Sequence, residues 1–509
     1  MSSENNKRIA KNTLLLYFRM LLTMLVSLFT VRVVLSTLGV LDYGIYNVVG
    51  GVVGMFALLS NTMASASQRF FAFELGRNDF LQLKKTFALT VTIYLIIAFV
   101  VIVLAETVGL WFLNHKMVIP INRLLAANWI YQFTIFSFVV GIVTIPYNAV
   151  IIARENMKVY AYVSIIEVTL KLLIVYLLVL FSFDKLKLYG FLMFATSCLI
   201  SSIYIIISKR KYEECKFQFY WEKKLFKTLM SYSGWNLFGS LAGVFNNEGV
   251  NILLNIFFGP IVNTARGIAF QVSTSVNQFV SNFITAVNPQ ITKYYAANEK
   301  EQMTKLVFQS SKLSFYLLFI LSMPVLLETN FILTLWLKET PEYVIIFTRL
   351  VIIAALIDSL SYPLMTAAQA TGNIKRYQTV VGSMMLLNLP ISYCFLKLGF
   401  PPQITMVVAI FISFICLFLR LLMLRTMIGL VFKDFLNQVL VRIFFVNIVG
   451  YILPIWLVLF LDDNLSRFLI VGICGLITSI GSIYLIGLTM NDRVLLNSFL
   501  KKDSSTNKQ

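Results

Sequence analysis

Nine of the ionisable side chains inside the long apolar stretches of this chain are the first candidates for chemistry. Each costs at least ~2.5 kcal/mol at membrane depth, so each needs a partner, water or a function. They are Arg19, Arg32, Glu106, Glu167, Lys171, Glu248, Arg266, Arg349 and Asp358. A single histidine, His115, and five scattered cysteines offer neither a zinc site nor a disulfide framework. Binding of ions or charged ligands is therefore the chemistry that these residues indicate, with no metal and no cofactor.

Two of these arginines lie on the first apolar run and point in different directions. On a helix, Arg19 shares a narrow arc with Asn12, Thr23, Ser27 and Thr30, because the spacings of seven, four, four and three residues return to one face. This pattern predicts that Arg19 and Thr23 face a polar cavity. Arg32 falls on the opposite side, where it either serves the cavity or extends to the headgroups.

A second polar pattern follows two later runs. One carries Asn236, Ser240, Gly243, Asn247 and Asn251, and the next carries Asn263, Arg266, Thr274, Asn277 and Ser281. Facing polar stripes would line a wet cavity, although hydrogen bonding between helices by small and amide residues is the alternative. Arg266 suits a pyrophosphate because its planar fork makes two parallel charge-assisted bonds. Asn247, Asn251 and Asn277 are the expected sugar-binding partners.

Acidic residues in the apolar runs have two interpretations. Glu248 lies at the edge of its stripe, where it either binds Na⁺ or H⁺ to couple transport or neutralises Arg266. Glu167 and Lys171 are four residues apart with the acid first, which is the favourable order for a helical ion pair. We expect that pair to neutralise itself.

The elements that must position these residues are transmembrane helices. The 509 residues are 59% hydrophobic and 13% charged, which excludes a soluble enzyme. Fourteen runs are long enough to cross a bilayer of about 30 Å, so the fold class is an all-α integral membrane protein. The predicted spans are 13–35, 44–66, 87–113, 124–145, 159–181, 188–208, 229–257, 261–287, 307–327, 343–366, 379–396, 405–424, 439–461 and 466–489.

Basic residues fix the orientation of these spans. With the N-terminus inside, about 30 of the 42 Lys and Arg fall in cytoplasmic segments and about 7 outside. Both termini are therefore predicted to be cytoplasmic. The most basic segment, residues 209–228, connects spans six and seven. We interpret it as a solvated cytoplasmic linker that touches anionic lipid.

An internal repeat divides the chain. Pro146, Ala153, Asn156, Lys158 and Tyr160 recur as Pro363, Ala370, Asn373, Lys375 and Tyr377, at one offset of about 217 residues. The repeat predicts a six-helix half at 1–208, the linker at 209–228, a second half at 229–424, an extra helix pair at 425–490 and a cytoplasmic tail at 491–509. Parallel six-span halves are a transporter architecture.

The stretch Leu38–Gly39–Val40–Leu41–Asp42–Tyr43–Gly44–Ile45–Tyr46, together with the two halves and the terminal pair, resembles the Wzx-type polysaccharide flippases. These belong to the multidrug/oligosaccharidyl-lipid/polysaccharide (MOP) superfamily, with MurJ-like flippases and MATE exporters. The resemblance implies two pseudo-symmetric halves and a central cavity lined by spans one, two, seven and eight. It also implies movement of undecaprenyl-pyrophosphate-linked oligosaccharide from the cytoplasmic to the periplasmic leaflet of a bacterial inner membrane, for O-antigen or other lipopolysaccharide and surface-polysaccharide synthesis.

Two other functions stay open on the sequence. A cation-coupled MATE-type drug exporter would favour an acidic residue in span one, where this chain has Arg19 and Arg32. A membrane-embedded polymerase or glycosyltransferase needs clustered carboxylates or a histidine on an extended loop, and the predicted loops are short. The sequence therefore predicts a transporter rather than an enzyme. Its ligand would be the lipid-linked oligosaccharide, its surroundings the bilayer, and its possible partners a polymerase and glycosyltransferases, with no nucleic acid.

Overall fold

The computed structural model is built from helices, and its described residues contain no strand. It describes residues 3–54, 57–115, 119–181, 183–258, 260–337, 341–489 and 493, and within some helices only the backbone. The helices are α1 (Ser3–Gly54), α2 (Ala57–Gly76), α3 (Phe80–Leu104), α4 (Leu110–His115), α5 (Leu124–Ala153), α6 (Met157–Leu180), α7 (Lys185–Lys211), α8 (Lys223–Phe258), α9 (Pro260–Ala296), α10 (Lys300–Leu327), α11 (Thr329–Leu337), α12 (Val344–Ala370), α13 (Lys375–Leu386), α14 (Asn388–Lys397), α15 (Ile404–Ile428), α16 (Phe432–Phe435), α17 (Val441–Phe460) and α18 (Leu465–Ser482).

Ten helical stretches of the described chain are long and apolar enough to cross a membrane. They are α3 with α4, α5, α6, α7, α10, α12, α13 with α14, α15, α16 with α17, and α18. These coincide with ten of the fourteen predicted spans, and the all-helical membrane class is confirmed. The other four predicted spans fall on α1, α2, α8 and α9, the helices to which the resemblance assigns the lining of the central cavity.

The predicted loop between spans one and two is wrong, because α1 continues through it to Gly54. Val34, Leu38, Ile45 and Val49 are buried along this stretch at spacings that share one helical face. Packing of that face against the neighbouring helices offsets the cost of glycines in a helix interior, about 1 kcal/mol each. The motif that contains Asp42 is therefore helical.

The described chain divides into two compact units. The N-terminal unit is residues 9–237, and the C-terminal unit is residues 238–509 with residues 1–8. In the N-terminal unit α5 contacts α2, α3 and α7, and in the C-terminal unit α12 contacts α9, α10 and α15. One pattern of helix neighbours thus occurs in each unit. The finer division predicted from the repeat stays a prediction.

Local geometry also recurs at the repeated positions. Pro146 lies inside α5 and Pro363 inside α12, each with a last helical segment, 147–153 or 364–370, before the turn. The turns that follow place Glu155 (φ 57°) and Gly372 (φ 76°) in the left-handed region. Asn78 (φ 56°) and Asn298 (φ 61°) do the same after α2 and α9. Asparagine tolerates this region better than most side chains.

The terminal helices α17 and α18 pack against α10 in the C-terminal unit. The rings of Phe319 and Tyr451 meet edge to face with centroids 5.3 Å apart. Glu328, whose side chain is 1% exposed, accepts hydrogen bonds from Arg467 at 3.0 and 2.9 Å. A buried ion pair thus ties the start of α18 to the end of α10.

Candidate functional site

A polar cavity of about 360 Å³ lies within the C-terminal unit, between α8, α9, α12, α13, α14 and α15. We call it the C-unit cavity. Its polar lining residues are Asn246, Asn247, Arg266, Ser273, Thr274, Asn277, Asp358, Tyr362, Asn388, Thr405, Ser413 and Arg420. The stripes predicted on spans seven and eight therefore meet here, joined by residues from four further helices.

Arg266 is buried in the lining of this cavity and is held by contacts with Asn247 and Phe270. It is 6% exposed, and its Nη2 donates to the backbone O of Asn247 at 2.9 Å and to Oδ1 at 2.5 Å. Its guanidinium lies 4.2 Å from the centroid of the Phe270 ring. The Nε–H is buried without a hydrogen-bond partner. A fixed cation with an unused donor is suited to an anionic oxygen.

The remaining residues predicted on spans seven and eight have different roles. Asn277 lines the cavity, and its Oδ1 is buried without a partner while its Nδ2 donates to Ser273. Asn251 accepts from Asn263 through both its backbone O and its Oδ1 at 2.7 Å, so it fastens α9 to α8. Glu248 is exposed and does not line the cavity. It lies within electrostatic range of Arg266.

Two further charged residues line the C-unit cavity: Arg420, which the sequence patterns did not indicate, and Asp358, to which they assigned no role. Arg420 of α15 is 5% exposed and donates to Tyr377 Oη and Ser361 Oγ, each at 3.1 Å. Asp358 of α12 lines the same cavity, bonds to Ser413 and lies within electrostatic range of Arg420. An arginine deep inside an apolar run was the signal that could have found Arg420.

A second cavity, of about 390 Å³, lies within the N-terminal unit between α5, α6 and α7, with Tyr46 of α1. We call it the N-unit cavity. Nine of its lining residues carry a hydroxyl or amide group among apolar neighbours, and it also contains Glu167 and Lys171. These two form an ion pair with Nζ and Oε1 2.6 Å apart, which confirms the predicted self-neutralisation.

Arg19 belongs to the N-terminal unit and lies near the N-unit cavity without lining it. Its guanidinium is 4.5 Å from the centroid of the Tyr160 ring, and its Nε is buried without a partner. Tyr204, which lines the N-unit cavity, is within electrostatic range of Arg19. Thr23 donates to the backbone O of Met20 at 2.9 Å. The side chain of Arg32 lies outside the described part of the structure.

An ion cluster joins three helices of the N-terminal unit and involves the Asp42 of the compact motif. Arg123 donates from Nε to Asp42 at 2.8 Å and from Nη1 to Asp184 at 3.0 Å. Asp184 also caps α7 by accepting from the amides of Leu186 and Lys187. Burial alone would raise the pKa of Asp184, but the Lys187 amide and Arg123 lower it below its ordinary value.

The residues of the two cavities suit the binding of polar ligands. In the described ranges, no group of three or more His, Cys, Asp or Glu side chains lies close enough together to hold a metal ion. The guanidinium groups of the C-unit cavity suit negatively charged groups of a ligand. The neutral hydroxyls of the N-unit cavity suit uncharged polar groups.

Comparisons with known proteins place the chain in a family. The family model described as "Polysaccharide biosynthesis protein" matches residues 9–294, and the model MatE matches residues 238–394. No curated protein matches the sequence.

Solved structures of MATE transporters share the fold. One, titled as the outward-facing conformation of a multidrug resistance MATE family transporter of the MOP superfamily, has a TM-score of 0.70 at 12% identity, covering 84% of this chain and 96% of that chain. A MATE in the straight conformation gives 0.71 at 12% identity, with the same coverage. The MATE transporter ClbM in complex with Rb⁺ gives 0.68 at 15% identity, covering 81% of this chain and 94% of that chain. Because the first family model spans more than half of the sequence, the chain belongs to the polysaccharide biosynthesis protein family, a membrane flippase family of the MOP superfamily.

Proposed function

We propose that this protein flips undecaprenyl-pyrophosphate-linked oligosaccharide repeat units from the cytoplasmic to the periplasmic leaflet. The product would feed the synthesis of lipopolysaccharide, including O-antigen, or of another surface polysaccharide. Its place would be the bacterial inner membrane, with both termini cytoplasmic as the basic residues predict. A polymerase and glycosyltransferases would act beside it, and the flipping step itself makes and breaks no covalent bond.

The observation that carries this proposal is Arg266 in the C-unit cavity. A pyrophosphate has negatively charged oxygens that accept hydrogen bonds, and the unused Nε–H of Arg266 is a donor held in place by Asn247 and Phe270. Arg420 brings a second positive charge to the same wall. Binding of an anionic headgroup would offset the cost of burying these charges.

Uncharged groups around the two arginines fit the sugars. Asn277 offers a buried carbonyl oxygen without a partner, and Asn246 and Asn388 line the same cavity. Amide groups both donate and accept, so they bind hydroxyls without selecting one epimer. The first helix would contribute Arg19, Thr23 and Arg32 to substrate binding. On α8, Asn251 would support the neighbouring Asn247.

A drug exporter of MATE type is the second candidate, because the matched structures are MATE transporters. Such an exporter driven by Na⁺ or H⁺ would use a carboxylate, and Glu248 and Asp358 are the candidates in the C-terminal unit. Asp358 lies beside Arg420, however, and a guanidinium in that place repels a second cation. Ion coupling through Glu248 stays a prediction.

Translocation in proteoliposomes tests the proposal. The probe is polyprenyl pyrophosphate that carries an N-acetylglucosamine disaccharide, and the readout is the fraction of headgroups that become accessible to an enzyme added outside. Gly243→Leu is the decisive variant, because Gly243 lines the C-unit cavity and the nearest atom to an added Cβ is Met385 Cε at 3.9 Å. The larger side chain should fill the cavity and abolish flux.

Gly472→Leu is the matched control. Gly472 lies on α18, and an added Cβ meets nothing within 4 Å. It should keep wild-type flux. If the wild type moves a cationic dye and leaves the lipid-linked sugar in place, the drug-exporter candidate replaces the flippase.

A further inference from the structure

The N-unit cavity has a wall of neutral polar groups whose pattern differs from that of the C-unit cavity. Its polar residues outside the ion pair are Tyr46, Thr134, Ser137, Thr144, Asn148, Thr196, Ser197, Ser201 and Tyr204. Thr134, Ser137 and Thr144 lie on one face of α5, at spacings of three and seven residues. A stripe of hydroxyls thus faces those of α7 across an open space.

The hydrogen bonds of these hydroxyls determine what the wall can bind. Thr134, Ser137 and Thr144 each donate to the backbone carbonyl four residues earlier, at 2.7, 2.7 and 2.8 Å. Ser197 donates to the backbone O of Ser137 at 3.3 Å. Their donors are used, and the lone pairs of their oxygens remain available to accept. The wall is therefore rich in acceptors.

One acceptor in this wall is buried and without a partner. Asn148 Oδ1 has no hydrogen bond, although a buried amide oxygen left unpaired is costly. The sole ionised groups in the described lining, Glu167 and Lys171, cancel each other. A neutral ligand with several hydroxyl groups could donate hydrogen bonds to these acceptors, whereas the oxygen lone pairs of the wall would repel an anion.

We propose that the N-unit cavity binds the outer neutral sugars of the lipid-linked substrate, beyond the sugar next to the pyrophosphate, and so forms a saccharide subsite distinct from the arginine site of the C-unit cavity. The lining also includes two aromatic residues, Phe133 and Tyr46, and aromatic side chains are common in the walls of small-molecule sites. The volume of about 390 Å³ lies in the usual range of small-molecule sites. This inference rests on the proposed function, since it assigns the sugar part of the same substrate.

Gly141→Leu tests the subsite without touching any polar group. Gly141 lines the N-unit cavity, and an added Cβ there meets nothing within 4 Å. Leucine also favours helix over glycine, so the melting temperature should stay equal or rise. Gly472→Leu is again the matched control. Asn148→Leu is a second variant, because it removes the unpartnered oxygen and keeps a similar volume.

Affinity is measured in detergent for three probes: polyprenyl pyrophosphate alone, the same carrier with an N-acetylglucosamine disaccharide, and methyl N-acetylglucosaminide at millimolar concentration. In the wild type the disaccharide should strengthen binding by about tenfold, which corresponds to one or two hydrogen bonds. Gly141→Leu and Asn148→Leu should lose this gain and keep the affinity for the bare carrier. Gly472→Leu should keep both.

The outcomes separate the two proposals. If the wild type binds neither carrier but binds the glycoside, and Gly141→Leu removes that binding, the subsite stands and the flippase proposal fails. If the carrier binds and the sugar adds nothing, or if Gly141→Leu keeps the full gain, the subsite is overturned while the flippase proposal survives. Failure of all three probes to bind overturns both.

Discussion

Replacement of Arg266 tests the arginine site most directly. Arg266→Lys keeps the positive charge and loses the planar fork, whereas Arg266→Ala loses both. A hydrogen bond to a charged group contributes about 1.5–3 kcal/mol. We therefore expect lysine to weaken binding of polyprenyl pyrophosphate by about 10- to 150-fold, because an ammonium replaces two aligned donors with one.

Alanine should abolish both binding and flux, but its effect on folding needs a separate measurement. Arg266 is 6% exposed and holds Asn247 on α8, so its removal also affects packing. We expect Arg266→Ala to lower stability by about 1–3 kcal/mol, since it removes a hydrogen-bonded partner from a buried group. Thermal unfolding in detergent measures this cost beside the affinity.

Arg19 and Arg32 provide the comparison. Arg19→Ala should abolish flux if the first helix binds the substrate, and Arg32→Lys should be tolerated if that residue only reaches the headgroups. Wild-type flux for Arg266→Ala at normal expression would refute the pyrophosphate site. Wild-type flux for Arg19→Ala would remove the first helix from the site, and an essential Arg32 beside a dispensable Arg19 would refute the stripe on span one.

Three further predictions concern topology and stability. A cysteine placed at Asp463 should react with an impermeant maleimide from outside, and one placed at Lys501 only after permeabilisation; external labelling at Lys501 would refute the even number of spans. Arg467→Ala should destabilise the C-terminal unit by about 3–5 kcal/mol, because Glu328 would stay buried and unpaired; an unfolding temperature unchanged from wild type would show that the pair contributes nothing. The pKa of Asp184 is lowered in the folded protein. The ionised side chain therefore stabilises the fold above the pKa of the unfolded chain, about 3.9, and this stabilisation is lost as the pH falls through the lower pKa of the folded state. Asp184→Asn should therefore flatten the loss of thermal stability between about pH 5 and pH 2, and an identical pH profile would contradict this.

Composition and hydropathy were sufficient to predict the fold class. Apolar runs of the right length leave little freedom, because a lipid-exposed backbone must satisfy its own hydrogen bonds as a helix. The boundary at Asp42 was different. Two glycines and a polar residue predict a loop there. The segment stays helical because Leu38, Ile45 and Val49 are buried on one face, and these contacts with other helices are not visible in the sequence.

Site residues could be predicted from the sequence where the spacing along one helix determines which face they share. They could not be predicted where the site depends on the packing of several helices. Two stripes could be read from spacing, because side chains three and four apart share a face. The stripe on α9 carries Arg266 and Asn277, and the stripe on α8 carries Asn247. Asn251 lies on the same stripe, yet it bonds to Asn263 between the helices. Arg420 comes from α15, where the polar lining residues Thr405, Ser413 and Arg420 are as much as seven or eight residues apart, and its place beside Asp358 follows from the packing of α15 on α12.

The turn after α5 and the turn after α12 both contain a residue with a left-handed backbone, but the two residues differ in their side chains. Gly372 adopts its left-handed backbone with little strain, whereas Glu155 takes the same conformation with a side chain at a cost of about 1 kcal/mol. Asn12 donates to the Glu155 carbonyl at 3.1 Å, a contact that anchors the first helix to this turn. The first helix therefore does more than carry polar side chains, because it also braces a turn whose backbone is under strain. A chain without α1 would keep the left-handed residue at Glu155 and lose the hydrogen bond from Asn12.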